Sequence, residues 1–235
     1  LMSALMNDVH RAGYAACYVY TKASARDAFA WLGFREIAHV EDKLYFLENA
    51  LHGLPQYLAA LRGKYVAGSR IAAIVMNANP FTNGHRYLVE KAARENDVVH
   101  LFVLSEDLSH YPGSVRLALV KAGIAPLKNV YVHPTGDYII SAATFPSYFL
   151  REDANVTEIQ ARLDARIFKE HIAPALGITK RYVGSEPLSP ATAIYNAALQ
   201  REFEEELGIR IRRAVPWLTK IHSYEHARVH LRFMR

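Results

Sequence analysis

Apolar residues recur along this chain with two spacings, one typical of buried strands and one typical of helices. Short runs of branched apolar residues predict strands buried in a parallel sheet. From residue 70 onward such runs alternate with segments of helical periodicity. The predicted strands are Arg70–Met76, Val98–Leu104, Val130–His133 and Arg181–Gly184, and the predicted helices begin after Gly84 and cover Ser114–Gly123, Glu158–Ala175 and Ala191–Leu207. This alternation predicts an α/β fold with a doubly wound parallel sheet, whose ligands bind at the carboxyl ends of the strands.

The residues before this alternation predict a small α/β unit and a helical connection. Helical periodicity covers Leu1–Ala12 and Ala23–Leu32, Tyr14–Tyr20 predicts a strand, and Ile37–Leu47 has a strand pattern interrupted by three charged residues. We interpret Gly33 and Phe34 as a helix C-cap followed by a core aromatic residue. Leucines three and four positions apart predict a helix within residues 51–68.

The loop after the strand at residues 70–76 carries the chemistry. Residues 77–84, NANPFTNG, are rich in Asn, Pro and Gly, which suit tight turns. His85 then lies in the first turn of a helix, where amide N–H groups and the helix dipole favour an anion. Gly84 lets the backbone approach a phosphate closely. The stretch therefore predicts a phosphate site, and the alternative is a helix-capping turn with a surface histidine.

Composition narrows the class of protein. With 235 residues, 51% of them hydrophobic and 22% charged, the chain is long and apolar enough for a real core. The single cysteine, Cys17, excludes an intrachain disulfide and a cysteine-built zinc site, and it fits a reducing cytoplasm. No apolar stretch is long enough for a membrane span, so we expect a cytoplasmic protein with no membrane partner.

Most of the positive charge lies at the C-terminal end. The chain carries a net charge of +5, but residues 209–235 hold seven basic residues and one acidic residue, so the remainder has a charge near −1. We therefore expect no nucleic-acid partner. His222, His226 and His230 would share one helix face, but no carboxylate or cysteine completes a ligand set, so we expect no metal site built from protein side chains.

Several motifs resemble those of known families. Thr82-Asn83-Gly84-His85 resembles the (H/T)xGH signature of the nucleotidyltransferase superfamily. Four blocks then occur in the order seen in citrate lyase ligases, and the likeness runs from about Tyr18 to about Arg213. These blocks are residues 76–93, 138–150, 168–179 and 182–196. The resemblance implies a Rossmann-like nucleotidyltransferase domain at 70–215, a helical connection at 51–69, a partial GNAT-like acetyltransferase remnant at 1–50 and an atypical basic tail at 216–235.

The same resemblance implies an acid–thiol ligase. Members of that family use ATP, Mg²⁺ and acetate to acetylate the prosthetic-group thiol of the citrate lyase acyl-carrier subunit, through acetyl-adenylate, and they release AMP and pyrophosphate. It implies catalytic roles for Thr82 and His85, which would steady the phosphates and the developing negative charge. The residues implied to bind the nucleotide are Asn77, Pro80, Phe81, Gly84, Arg116, Gly184, Ser185 and Glu186.

Some of these roles have alternatives. Arg116 either contacts a phosphate or carboxylate or, as is commoner, lies on the surface of its helix. The block Val183-Gly184-Ser185-Glu186 either lies beside the nucleotide or forms an ordinary strand-to-helix turn. Three further residues either line the acyl pocket or have core or turn roles, namely Ser141, Thr144 and Tyr148.

The sequence departs from the family pattern at both ends. Citrate lyase ligases carry a second motif, ISxSxxR, after the VGSEP-like block, and its serine and arginine hold the triphosphate. No such pattern follows Pro216, and the early part of the GNAT-like fold has no counterpart. We therefore expect a chain truncated at both ends and impaired in turnover. Two other functions stay open, a different nucleotidyltransferase chemistry and an inactive remnant that binds citrate lyase subunits.

Overall fold

The computed structural model describes residues 2–106, 110–139, 145, 156–184, 190–204 and 210–214. Within these ranges the strands are β1 (Ala16–Thr21), β2 (Arg35–Val40), β3 (Leu44–Ala50), β4 (Ile71–Met76), β5 (Val98–Val103), β6 (Val130–Pro134), β7 (Lys180–Gly184) and β8 (Arg210–Ala214). The α-helices are α1 (Met2–Arg11), α2 (Ala23–Trp31), α3 (Gly53–Arg62), α4 (Asn83–Glu95), α5 (Gly113–Gly123), α6 (Val156–Ile167), α7 (Ala173–Leu176) and α8 (Pro190–Glu204). In the described part of the chain, no helix is long and apolar enough to cross a membrane.

The N-terminal residues form an antiparallel sheet of order β1-β3-β2 with α1 and α2 beside it. Helix α2 ends as predicted, because Gly33 takes φ of +85° and the Phe34 N–H donates to Phe29 O at 3.1 Å. The Phe34 side chain is buried and meets the Phe29 ring edge-on, with centroids 5.4 Å apart. The interpretation of Gly33 and Phe34 as a C-cap and a core aromatic residue is therefore confirmed.

The second sheet is parallel throughout and has the order β6-β5-β4-β7-β8. Helices α4 and α5 contribute Leu88 and Val120 to the apolar core on one face of this sheet. Helices α6 and α8 contribute Leu163 and Leu199 to the core on the other face. Because helices cover both faces, the predicted doubly wound α/β fold is confirmed. Strand β8, which pairs with β7, was not predicted.

The helix predicted at Glu158–Ala175 is interrupted. Helix α6 passes at Phe168 into a π-helical turn that ends at Ile172, and α7 follows directly. Gly177 then closes the segment with φ of +66°, a left-handed conformation that glycine adopts at low cost.

The two sheets share one apolar core. Leu44 of β3 is fully buried in the same cluster as Ala73 of β4 and Leu163 of α6. Polar contacts add to this packing: Arg162 pairs with Glu41, beside the N-terminal sheet, at 2.9 Å. The N-terminal residues therefore pack as an integral layer beside the carboxyl edge of the parallel sheet.

Candidate active site

The predicted phosphate loop lies where the sheet changes direction. Strand β5 lies on one side of β4 and β7 on the other, because the chain runs from β4 through β5 to β6 and then returns to β7 beyond β4. Ile74 of β4 is level with Tyr182 of β7, so both strands end at the same edge. The carboxyl edge at such a switch point is where open α/β sheets bind ligands. The loop after β4 and the end of β7 at Gly184 therefore lie at the edge of the sheet where ligands bind.

Residues 77–82 form a compact loop that the neighbouring segment holds in place. The peptide bond between Asn79 and Pro80 is cis, and Ala78 takes φ of +52°, a conformation uncommon for a residue with a side chain. Ala78 is buried, which fixes the loop against the core. The Asn79 Oδ1 accepts a hydrogen bond from the Tyr111 N–H at 3.0 Å. Sequence analysis did not single out Asn79 or Tyr111, because their contact joins two distant parts of the chain.

Arg116 of α5 holds the start of this loop by hydrogen bonds. Its side chain is fully buried, so the expectation of a helix-surface arginine is wrong. Its Nη1 donates to Asn77 O at 2.8 Å and to the Asn77 side-chain oxygen, and its Nε donates to Tyr111 O at 3.0 Å. Its Nη2 donates to Glu106 O and lies 3.5 Å from the Glu106 carboxylate. All three guanidinium nitrogens thus have protein acceptors, and a contact between Arg116 and the nucleotide stays a prediction.

Thr82 and His85 cap helix α4 reciprocally. The Thr82 hydroxyl accepts from the His85 N–H at 3.5 Å, while the Thr82 N–H donates to His85 Nδ1 at 3.1 Å. The Thr82 Oγ1 also lies 2.9 Å from the same ring nitrogen. Because a backbone N–H can only donate, His85 Nδ1 is the acceptor and carries no proton. The ring proton therefore lies on Nε2, which makes that atom the hydrogen-bond donor of a neutral imidazole.

Burial keeps the His85 ring neutral. Desolvation lowers the pKa of His85 to about 4, so the imidazole carries no charge near neutral pH. Phe81 stacks on the ring with centroids 5.9 Å apart and is itself buried. A Cβ on Gly123 of α5 would come within 2.4 Å of the Phe81 ring, so the glycine leaves room for it. Phe81 thus supports His85 from the core side, and its predicted contact with the nucleotide stays a prediction.

The remaining predicted residues lie on the same edge or outside the described residues. Gly84 is buried in the first turn of α4, and Pro80 is half-buried in the loop. Gly184 ends β7, and its carbonyl accepts from Asn196 Nδ2 at 2.9 Å. The predicted nucleotide contacts Ser185 and Glu186 lie outside the described residues, as do Ser141, Thr144, Tyr148 and the three C-terminal histidines His222, His226 and His230.

The arrangement suits an anionic ligand. The start of α4 presents first-turn amide groups and the positive end of the helix dipole beside the neutral His85. Among the residues that the structure describes, no three His, Cys, Asp or Glu side chains converge on a possible metal position.

Comparisons with known proteins agree with the expected family. A family model described as the citrate lyase ligase C-terminal domain matches residues 71–224. The citrate (pro-3S)-lyase ligase of Escherichia coli (strain K12) is 40% identical over 196 residues, which cover 83% of this chain and 56% of the relative. Its counterpart in Klebsiella pneumoniae is 41% identical over 204 residues, which cover 87% of this chain and 60% of that relative. The chain thus spans little more than half the length of these curated relatives.

The matches among solved structures share less sequence with this chain. A putative nicotinate-nucleotide adenylyltransferase from Vibrio parahaemolyticus is 22% identical, with 62% of this chain and 72% of that chain covered and a TM-score of 0.37. A pantothenate synthetase from Thermus thermophilus is 15% identical. The match covers 74% of this chain and 68% of that chain, with a TM-score of 0.44. The fold assignment rests on the strand order of this chain itself.

Proposed function

This chain belongs to the citrate lyase ligase family, and from that membership we propose that it acetylates the prosthetic-group thiol of the citrate lyase acyl-carrier subunit. The proposed co-substrates are acetate and ATP, with Mg²⁺ on the ATP phosphates. The observation that carries the proposal is the neutral His85, held by Thr82 at the start of α4 on the binding edge of the sheet. That geometry supports chemistry on a phosphate group.

In the first proposed step, an acetate oxygen forms a bond to the α-phosphorus of ATP. The bond between that phosphorus and its bridging oxygen to the β-phosphorus breaks, so pyrophosphate leaves and acetyl-adenylate remains. Negative charge builds on the phosphate oxygens during this step. His85 Nε2–H and the first-turn amides of α4 stabilise that charge, and a neutral donor retains its proton throughout.

In the second proposed step, the carrier thiol sulfur forms a bond to the acetyl carbon. The bond from that carbon to the AMP oxygen breaks, AMP leaves, and the thiol proton passes to solvent. Thr82 and Arg116 act in both steps by position: Thr82 fixes the His85 ring, and Arg116 holds the loop backbone. Bound Mg²⁺ would neutralise charge on the departing pyrophosphate.

The products of the reaction test this proposal. The chain is incubated with ATP, Mg²⁺, labelled acetate and the deacetylated carrier subunit, and the label on the carrier is measured together with AMP and pyrophosphate. We expect equal amounts of carrier thioester, AMP and pyrophosphate, and none of the three without acetate. A nucleotide joined to a phosphate ester would instead establish another nucleotidyltransferase. Carrier binding without pyrophosphate release would establish an inactive binding protein.

A further inference from the structure

A cavity of about 310 Å³ lies between the N-terminal sheet and the carboxyl ends of β5 and β6. Tyr18, Tyr20 and Phe46 form its wall on the side of the N-terminal sheet. Ser105 and Thr135 lie on the opposite side, where their hydroxyl oxygens are 3.3 Å apart. Its volume is near the lower end of the roughly 300–1,000 Å³ of small-molecule pockets. The cavity is therefore large enough for part of a substrate but small for a whole nucleotide.

The cavity adjoins the loop that carries His85. Glu106 lines the cavity, and its backbone carbonyl accepts a hydrogen bond from Arg116. Arg116 also donates to Asn77 O at 2.8 Å, at the start of the loop. One buried arginine therefore joins the cavity wall to the candidate active site. Because β5 and β6 lie on the other side of β4 from β7, the cavity is displaced from the switch point toward the carboxyl ends of β5 and β6.

The charge of the lining disfavours an anion. The described residues that line the cavity include the carboxylates Glu106 and Asp137 and no Lys, Arg or His. Tyr18 donates from its hydroxyl to Asp137 Oδ2 at 3.2 Å. Burial raises the pKa of Tyr18 to about 12, so this phenol stays a neutral donor. Free acetate and phosphate groups therefore find no cationic partner among the described lining residues, since Glu106 already pairs with the buried Arg116. Amide N–H groups find acceptors in the Asp137 carboxylate and the Ser105 hydroxyl.

We propose that this cavity receives the arm that presents the acceptor thiol, that the part of the arm lying here is uncharged and carries amide groups, and that acetate and ATP bind at the loop after β4. The inference rests on the function proposed above, since it assigns one subsite to one of its co-substrates. Aromatic and aliphatic walls cover the methylene groups of such an arm, while the exposed Ser105 and Asp137 side chains accept hydrogen bonds from its amide N–H groups. The N-terminal sheet thereby contributes to selecting the acceptor.

Leu104→Trp tests the proposal by filling the cavity from its wall. The matched control is Leu51→Trp, because Leu51 is 84% exposed and does not line the cavity. Two activities are compared in each variant: acetate-dependent exchange of pyrophosphate into ATP, which needs no thiol, and acetyl transfer to the carrier thiol. We expect Leu104→Trp to lower transfer at least tenfold more than exchange, and Leu51→Trp to change neither by more than twofold. Equal loss of both activities in Leu104→Trp, or no loss of transfer, would overturn the assignment.

A binding measurement separates this proposal from the proposed function. Pantetheine, an uncharged thiol with two amide groups, is titrated into the whole chain, and binding is followed by saturation-transfer NMR. We expect binding that Leu104→Trp abolishes and Asp137→Asn weakens threefold to tenfold, even where no exchange is measured. Because Asp137 is exposed, we expect the Asp137→Asn variant to fold normally. Failure of the unsubstituted chain to bind pantetheine would refute the cavity assignment, whereas absent exchange alone would refute only the proposed function.

Discussion

At the scale of single residues, the site depends on which nitrogen of His85 carries the proton. The Thr82 N–H occupies Nδ1, so Nε2 is the donor, and burial against Phe81 keeps the ring neutral. A charged imidazole would attract phosphate more strongly in the ground state as well as in the transition state. A neutral donor aimed at developing charge instead favours the transition state.

A pair of buried histidines in the parallel sheet makes the stability of the protein depend on pH. His100 Nδ1 lies 3.0 Å from His133 Nε2, and both side chains are almost fully buried. Burial lowers the pKa of His100 to about 4, and burial together with the neighbouring His100 lowers the pKa of His133 to about 3. The sequence alone does not reveal this pair, because the contact depends on two strands lying side by side.

We predict that this pair lowers the free energy of unfolding as the pH falls below about 6.5. Below that value the unfolded chain binds protons at both histidines while the folded chain does not, so the full stabilisation is present only at higher pH. Each histidine should cost about 2 kcal/mol by pH 5, since one pKa unit corresponds to about 1.4 kcal/mol. Urea unfolding at pH 7 and pH 5 measures this loss. The double variant His100→Leu/His133→Leu should lose correspondingly less stability, and an identical loss in both proteins would contradict the account.

At the scale of elements, the loop between β4 and α4 is held from helix α5. Arg116 of α5 donates to three carbonyl groups, those of Asn77, Glu106 and Tyr111. The strand β4 and the helix α4 position only the two ends of the loop. The buried guanidinium therefore fixes the first residue of the loop and holds the segment that contains Glu106 and Tyr111, and the Tyr111 N–H in turn holds Asn79 in the middle of the loop.

We predict that Arg116→Ala lowers the free energy of unfolding by about 3 to 5 kcal/mol, the range for removing one partner of a buried ion pair. The substitution removes the guanidinium that pairs with the Glu106 carboxylate and with buried carbonyl groups. Urea unfolding gives the stability, and calorimetric titration with ATP gives the loss of binding expected from a displaced loop. Arg94→Ala is the matched control, because Arg94 is exposed near the end of α4. A change below 1 kcal/mol with ATP affinity retained would show that the loop does not depend on Arg116.

Most elements could be predicted from the sequence, because their apolar periodicity is local. The predicted strand at residues 70–76, for example, differs by one residue from β4. Strand β8 was missed because three arginines interrupt the apolar pattern of residues 210–214. The Thr82–His85 pair was found because it is contiguous in sequence. The burial of Arg116 was not, since its acceptors come from three separate positions that no local pattern connects.

At the scale of the whole molecule, the N-terminal sheet is joined to the parallel sheet through a common core. We predict that Leu44→Ala in β3 destabilises both sheets together by about 2 to 5 kcal/mol, the usual cost of truncating a fully buried leucine. Native-state hydrogen exchange of amides in β3 and β4 measures the two effects. Leu51→Ala, at an exposed position, should change both by less than about 0.5 kcal/mol. Protection in β4 that survives Leu44→Ala would mean that the two sheets unfold independently.

The proposed function requires that the loop after β4 carries out acetate-dependent chemistry on the α-phosphorus of ATP. Exchange of labelled pyrophosphate into ATP tests it most directly, because exchange requires only ATP, Mg²⁺ and acetate. We predict exchange that depends on acetate. His85→Ala should lower the exchange rate about 10² to 10³-fold, as expected for loss of one oxyanion donor. His10→Ala, at an exposed position of α1, should leave the exchange rate unchanged. Exchange that is absent, independent of acetate, or unaffected by His85→Ala would contradict the account.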